Sequence, residues 1–146
     1  MPPFFEHERT VVASDIDELG HVNNLIYMQW AVDAAIGHSA ENGWHFDRYK
    51  SIGAGWVVRT HSITYLRPAF LGDKIVVKTW IAERGRATSR RMYQISRVDE
   101  SGTIRLAEAF TDWVFVDFER LVPRRIPPEV CDSFPVLGEN PDQPAT

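Results

Sequence analysis

Between Asn24 and Asn42 the residues Met28, Ala31, Val32, Ala35, Ile36, Ser39 and Ala40 recur at the three-four spacing of one helical face, and charge is confined to Asp33 and Glu41. Leu25, Ile26, Tyr27 and Trp30 add apolar surface off that stripe. A helix this apolar has to be covered on most sides, so the rest of the chain must wrap it. Asn23 or Asn24 can cap its first amides, and Asn42-Gly43 supplies a left-handed stop.

The wrapping has to come from strands. After a polar stretch from Gly43 to Gly53 come four extended runs, about Gly55 to Arg67, Asp73 to Glu83, Ala87 to Val98 and Thr103 to Phe118, rich in β-branched and aromatic residues. A further strand, His7 to Ala13, precedes the helix. Asp99-Glu-Ser-Gly102 and Gly85 mark tight turns and Pro68 to Gly72 a short connection, which predicts sequential antiparallel pairing rather than crossovers. Six of the nine prolines, at 123, 127, 128, 135, 141 and 144, exclude a further long helix or central strand. Residues 1–118 are therefore expected to form one domain, and 119–146 a Pro-rich tail that packs near Pro127 to Phe134 and frays toward Thr146. The expected class is α+β, a five-stranded antiparallel sheet curving around one long central helix. Pairing two copies edge to edge would remove an open sheet edge, so a homodimer is expected.

With 146 residues, 44% of them hydrophobic, the chain has material for one core and not for two substantial domains. Sixteen basic residues against 20 acidic ones give a net charge of -4, which offers no broad attraction for nucleic acid or anionic lipid. No apolar run approaches a membrane span. Cys131 is the only cysteine, and the opening Met-Pro-Pro-Phe-Phe-Glu-His-Glu lacks the basic and apolar regions of a signal peptide, so the expected compartment is the cytoplasm. The charge is uneven: Lys74, Lys78, Arg84, Arg86, Arg90, Arg91 and Arg97 form a basic segment opposed only by Glu83.

Reactive and polar groups are densest in Asp15-Ile-Asp17-Glu-Leu-Gly20-His21-Val-Asn23-Asn24-Leu-Ile-Tyr27, where a strand hands over to the helix. The run Asp-x-Asp-x-x-Gly-His-Val-Asn-Asn-x-x-Tyr-x-x-Trp resembles the signature of hotdog-fold thioesterases, the group of 4-hydroxybenzoyl-CoA thioesterase and the YbgC-type acyl-CoA thioesterases. Ile63-Thr-Tyr-Leu-Arg-Pro-Ala-Phe-Leu-Gly-Asp73 is similar to a second recurrent stretch of that family, and the resemblance spans about residues 7–118. It implies the hotdog fold and hydrolysis of an acyl-CoA to a free acid and CoA. Asp17 takes the family's carboxylate position, as nucleophile on the thioester carbonyl or general base for water. The backbone N–H that polarises that carbonyl maps to Asn24; amides at a helix N-terminus are unpaired and the dipole there favours negative charge. YbgC-type members carry a histidine at the position of Asn24. The His-Val-Asn-Asn variant resembles instead the plant-type acyl-acyl-carrier-protein thioesterases, whose functional aspartate and histidine have the spacing of Asp17 and His21, although Leu19 stands where those enzymes place an asparagine.

Other readings stand beside these. Asp and Asn before a helix also serve turns and caps, and His21 divides between a hydrogen-bonded structural histidine and a catalytic or orienting one. Tyr27, Trp30 and Trp56 are core residues by default and substrate-pocket candidates otherwise. Arg84, Arg86, Arg90 and Arg91 flank a turn, where they are either a solvated face or a grip for the phosphates of CoA at a cleft rim. An acyl-carrier protein is the alternative carrier, its acidic surface meeting the same basic segment; an acyl-thioester binder without turnover is a further alternative. The five histidines show no metal-ligand spacing, so neither a metal nor a cofactor is expected. Assembly beyond a homodimer, to a homotetramer, is expected by analogy only.

Overall fold

A computed structural model of the chain describes residues 4–142. Strand β1 (Phe5–Thr10) leads through a single 3-10 turn (Ala13–Asp15) to the long helix α1 (Asn24–Glu41) and a short helix α2 (Phe46–Ile52). Four strands follow, β2 (Ala54–Tyr65), β3 (Lys74–Arg84), β4 (Thr88–Asp99) and β5 (Gly102–Asp117), and a short helix α3 (Pro128–Ser133) lies in the tail. One antiparallel sheet takes all five strands in the order β1-β3-β4-β5-β2. Register shifts interrupt β2 between Val58 and Thr60, β3 between Ile81 and Glu83, and β5 at Leu106, opposite Ile95 and Ser96 of β4. Such bulges raise local twist, which lets a sheet this size curl around a helix.

The helix meets the sheet through small residues. Ala31 and Ala34 are fully buried and Ala35 nearly so, which brings the backbone of α1 close to Ile75 and Val77 of β3, Ile95 of β4, and Leu106 and Ala107 of β5. Tyr27 and Trp30 anchor the N-terminal half, both buried; truncating a buried aromatic of this size costs about 3–5 kcal/mol. The N-terminus is capped by Asn23, whose side-chain oxygen accepts from Leu25 N at 2.9 Å. At the other end Gly43, at φ +87°, donates to Ala40 O while Trp44 N donates to Ser39 O, the paired bonds of a Schellman stop.

The structure corrects the sequence reading in four places. The buried face of α1 is Tyr27, Trp30, Ala31, Ala34, Ala35 and His38, rotated by about one residue from the expected stripe; Leu25 and Ile36 are exposed at 80% and 61%. The stretch from Gly43 to Gly53 contains α2. β1 starts at Phe5 and ends at Thr10, so Val11 is core and Ala13 belongs to the 3-10 turn. Finally, sequential pairing holds for β3, β4 and β5, but β2 pairs with β5 at the far edge, and the 66–73 connection crosses the sheet end to reach β3. That crossing is supported because Leu66 N and Arg67 N both donate to Leu106 O, and Ala69 N donates to the Tyr27 hydroxyl at 3.0 Å.

The tail packs over a longer span than Pro127 to Phe134. Ile126, Val130, Phe134 and Leu137 are buried, Leu137 N donates to Ile81 O, and Trp80 Nε1 donates to Gly138 O at 2.8 Å. The expected fraying toward Thr146 falls at its end on residues 143–146, outside the described residues.

Within this core His38 and Arg91 form a buried pair. Arg91 Nη1 donates to His38 Nδ1 at 2.9 Å and to Thr79 Oγ1 at 3.1 Å. A guanidinium can only donate, so His38 Nδ1 has to present a lone pair. Burial, aided by the Arg91 charge, pushes the His38 imidazole down to about 3. Between that value and the ordinary 6.5 an unfolded chain binds a proton here that the folded chain refuses, so stability rises with pH across this window and levels off above it. The slope from this residue approaches at most about 1.4 kcal/mol per pH unit. Denaturant titrations from pH 4 to 7 are expected to show a shallower rise for His38→Gln than for the parent; parallel curves would remove His38 as a source of acid sensitivity.

Candidate active site

The segment from Val11 to Asn24 is a chain of small local hydrogen-bonded units. Asp15 Oδ2 accepts from Val12 N at 3.0 Å and closes the 3-10 turn. Ile16 and Val22 form an isolated bridge, and between them Gly20 N donates to Asp17 O while Asp17 N donates to His21 O. Gly20, at φ +87°, supplies the positive backbone angle this reversal needs. Asp17 is half-buried, with Oδ1 held by Leu19 N at 2.8 Å; no described residue donates to Oδ2. His21 sets its ring edge-on to Phe70, centroids 6.4 Å apart, and has no side-chain hydrogen bond among the described residues.

The loop ends where α1 begins. Asn23 N donates to Asp15 O and the Asn23 side chain takes Leu25 N, which leaves the exposed Asn24 N–H as a first-turn donor with no acceptor among the described residues. The same corner is clamped from the sheet side. Tyr65, near the end of β2, donates from its hydroxyl to Asn24 O at 2.7 Å and packs edge-on against Tyr27. Val22 N donates to Ala69 O, tying the Asp17 loop to the crossing segment. Asp17, His21 and Asn24 therefore share one rigid junction, with a carboxylate oxygen and a helix-terminal amide both free to meet a ligand.

The other candidates scatter. Tyr27 and Trp30 are packed in the core, and the Tyr27 hydroxyl is committed to Ala69 N; burial raises that phenol above its ordinary value. Trp56 lines an apolar cavity of about 490 Å³ between the C-terminal half of α1, α2, α3 and the β2 end of the sheet. Arg84 borders that cavity and also a polar cleft of about 400 Å³ that it shares with Arg59, Arg90 and Asp112. Arg90 is forked onto Asp112 at 2.8 and 3.0 Å, a pairing that holds the Asp112 carboxyl below the usual carboxylate range. Arg86 is exposed with no ion pair among the described residues. Arg91 corrects the expectation of a cleft-rim group: alternation along β4 turns Ser89, Arg91, Tyr93 and Ile95 inward, so its guanidinium is enclosed beside α1.

Sequence reasoning missed much of the cavity wall. Phe46, Tyr49 and Ile52 recur every three residues between two glycines, a short helical face read above as a polar stretch. Tyr49 accepts from Trp56 Nε1 at 3.1 Å, which links α2 to β2. Along α1 the cavity wall begins about 12 Å from Asn24 and extends to about 24 Å, at 1.5 Å rise per residue. Among the described residues no three His, Cys, Asp or Glu side chains gather to hold a metal ion, and no helix is long and apolar enough to cross a membrane.

Comparisons with known proteins converge. The family model described as the thioesterase-like superfamily matches residues 11–134. Among solved structures, a 1,4-dihydroxy-2-naphthoyl-CoA thioesterase from Synechocystis is similar with 22% identity and a TM-score of 0.80, over 89% of this chain and 94% of that one. A 4-hydroxybenzoyl-CoA thioesterase mutant complexed with 4-hydroxybenzoyl-CoA is similar at 20% identity and a TM-score of 0.82, over 90% of this chain and 98% of that one. A Staphylococcus aureus protein solved with CoA is similar at 16% identity and a TM-score of 0.82, over 89% of this chain and 80% of that one. A search of curated proteins finds no match. With its five-stranded antiparallel sheet wrapped on α1, its hotdog neighbours and a family match over most of its length, the chain belongs to the thioesterase-like superfamily of thioester hydrolases.

Proposed function

We propose that the protein hydrolyses an acyl-CoA thioester at the loop-to-helix junction. The supporting observation is the pairing of a half-buried carboxylate oxygen on Asp17 with the unpaired Asn24 N–H at the start of α1. Asp17 attacks the thioester carbonyl carbon or draws a proton from the attacking water. The carbonyl oxygen gathers negative charge and is held by the Asn24 amide and the helix N-terminus. The C–S bond then breaks, and the thiolate leaves as CoA thiol after taking a proton, with His21 at hand beside Phe70 to orient the acyl group. If Asp17 was the nucleophile, water next hydrolyses the acyl-Asp17 anhydride to release the acid and restore the carboxylate, whereas with water as nucleophile the acid forms in the same step. No cofactor enters these steps. The lone, half-exposed Cys131 fits a reducing compartment such as the cytoplasm.

The phosphates of CoA are assigned to the basic side of the polar cleft. Arg90 already satisfies Asp112 and Arg84 donates to Cys131 O and Phe134 O, so Arg59 in the cleft and the exposed Arg86, next in sequence to the lining Gly85, are the side chains left to meet an anion.

The reading also includes a homodimer across β2. This 12-residue strand is an open sheet edge that leaves Val57 and Val58 exposed, a surface natural proteins cover. α1 runs opposite to β2: its N-terminus sits at Tyr65, and the cavity beside its C-terminal half includes Trp56. Antiparallel pairing of two β2 edges about their middle would carry each Asn24 end toward the partner's Trp56 end. Asp17 of one chain and the apolar cavity of the other then form one site, which resolves the separation of the two within a chain.

Three outcomes are expected. Asp17→Asn lowers kcat at least about a hundredfold in thiol release from a panel of aliphatic and aryl CoA esters; turnover at the parent rate would remove Asp17 from the chemistry. Replacing Arg59 and Arg86 together by Ala raises KM for a CoA ester roughly tenfold, with little change for the matching pantetheine ester; equal effects on both esters would return these arginines to the solvated surface. Val58→Asp yields monomers by light scattering with a matching loss of turnover, and a fully active monomer would exclude a site shared between chains.

A further inference from the structure

The apolar cavity holds a charge that its surroundings do not explain. Arg91 is 5% exposed and lines it, yet no carboxylate lies within ion-pairing distance of its guanidinium among the described residues. Burying a guanidinium without a counter-ion costs several kcal/mol, so such a group is kept either by a network that consumes its donors or by an anion that arrives from outside. The network consumes only part of it. Both of its side-chain hydrogen bonds, to His38 Nδ1 and Thr79 Oγ1, start from Nη1, which leaves Nε and Nη2 without a partner among the described residues. Those two nitrogens form the side-on fork that matches the two oxygens of a carboxylate.

Three further features fit an incoming acid. No Asp or Glu lines the cavity, whereas Arg84 borders it as a second cation, its Nη1 donating only to the carbonyls of Cys131 and Phe134. Its walls are otherwise mainly apolar, with Trp56, Trp113, Ile36 and Phe118 among them, and about 490 Å³ is room for a medium aliphatic chain or a fused aromatic body. The neighbouring imidazole of His38 accepts from Arg91 and stays neutral, so it adds no competing charge.

We propose that this cavity is a binding site for an apolar-bodied carboxylate, with the acid group on the Nε and Nη2 fork of Arg91 and the hydrocarbon or aryl body against the aromatic wall. The assignment rests on the cavity itself and stands whether or not Asp17 is the catalytic carboxylate. Two sources share the chemistry: a free acid, or the far carboxylate of an acyl group whose near end is the thioester.

Decanoate and its neutral counterpart decanamide are the probes, titrated calorimetrically into the full-length protein, with tryptophan fluorescence as a second readout because Trp44, Trp56 and Trp113 line the cavity. The parent is expected to bind decanoate at least about tenfold more tightly than decanamide, the scale of one charge-assisted hydrogen-bonded contact. Arg91→Met should bring that ratio close to one, with circular dichroism to check the fold because the substitution also strips His38 Nδ1 and Thr79 Oγ1 of their donor. Ala40→Trp, at the half-buried edge of the cavity, should abolish binding of both probes while leaving Arg91 in place. Equal affinity for the two probes in the parent, a ratio retained by Arg91→Met, or decanoate binding undiminished by Ala40→Trp would each overturn the proposal. The source follows from the kcat/KM ratio of ω-carboxydecanoyl-CoA to decanoyl-CoA. A ratio that falls in Arg91→Met assigns the acyl tail; with the probe selectivity in place, an unchanged ratio assigns the free acid.

Discussion

The contact between α1 and the concave face of the sheet sets the positions of everything else. It depends on Ala31, Ala34 and Ala35, which have no side chain long enough to hold the backbone away from β3, β4 and β5. A larger residue at any of them would have to displace strands that already interdigitate, and overpacking of this kind costs about 1–3 kcal/mol. Because the helix is seated by its middle, its two ends are fixed in space by the caps and clamps built there. Asn23, Tyr27 and Tyr65 hold the first, and the Gly43 stop with the His38–Arg91 pair holds the second.

The two ends present opposite electrostatic faces. At the N-terminus the helix dipole and the Asn24 amide favour a negative oxygen, and in the proposed reaction the nearby Asp17 supplies the nucleophilic or basic partner. In the C-terminal half His38 accepts from Arg91, whose charge burial disfavours, holding the guanidinium below its usual pKa. One element thus presents different groups at its two halves: a bare amide at the start, and a histidine that accepts from a buried guanidinium near the end.

Local chemistry was largely legible in the sequence, and long-range arrangement was not. The β-branched runs identify β2 to β5 to within two residues or so, because strand propensity and turn residues are properties of short segments. The motif from Asp15 to Tyr27 is one contiguous junction in space, since Asx turns and helix caps are local hydrogen bonds. The placement of β2 beside β5 depends instead on what the crossing segment can bond to, and its partners Leu106 and Tyr27 lie 39 to 42 residues away. The basic segment shows the same limit. Arg90 and Arg91 are adjacent in sequence, yet strand alternation sends one to Asp112 and the other into the core, a division that composition cannot express. The stripe first read along α1 fared differently: Val32, Ile36, Ser39 and Ala40 do share a face, but it is the face toward the cavity, and Ala35 sits at its border with the sheet-facing side.

That last displacement explains why so apolar a helix leaves Leu25 and Ile36 in solvent. A single sheet cannot surround a cylinder: this one covers the side bearing Tyr27, Trp30 and the alanines, while α2 and α3 roof only part of the opposite side. Ile36 shares the cavity lining with Gly55 and Trp56 of β2, so exposed helix surface and open strand edge adjoin at that end. Apolar helix surface and unpaired strand edge have different remedies, burial for the one and backbone pairing for the other. A second copy brought against β2 supplies both at once, and by inverting the direction of its own α1 it sets the cationic end of one helix beside the amide end of the next. In the proposed dimer the feature that first constrained the fold, a helix needing cover on most of its sides, therefore also accounts for how a short chain would bring a carboxylate, an oxyanion donor and a substrate-sized cavity together.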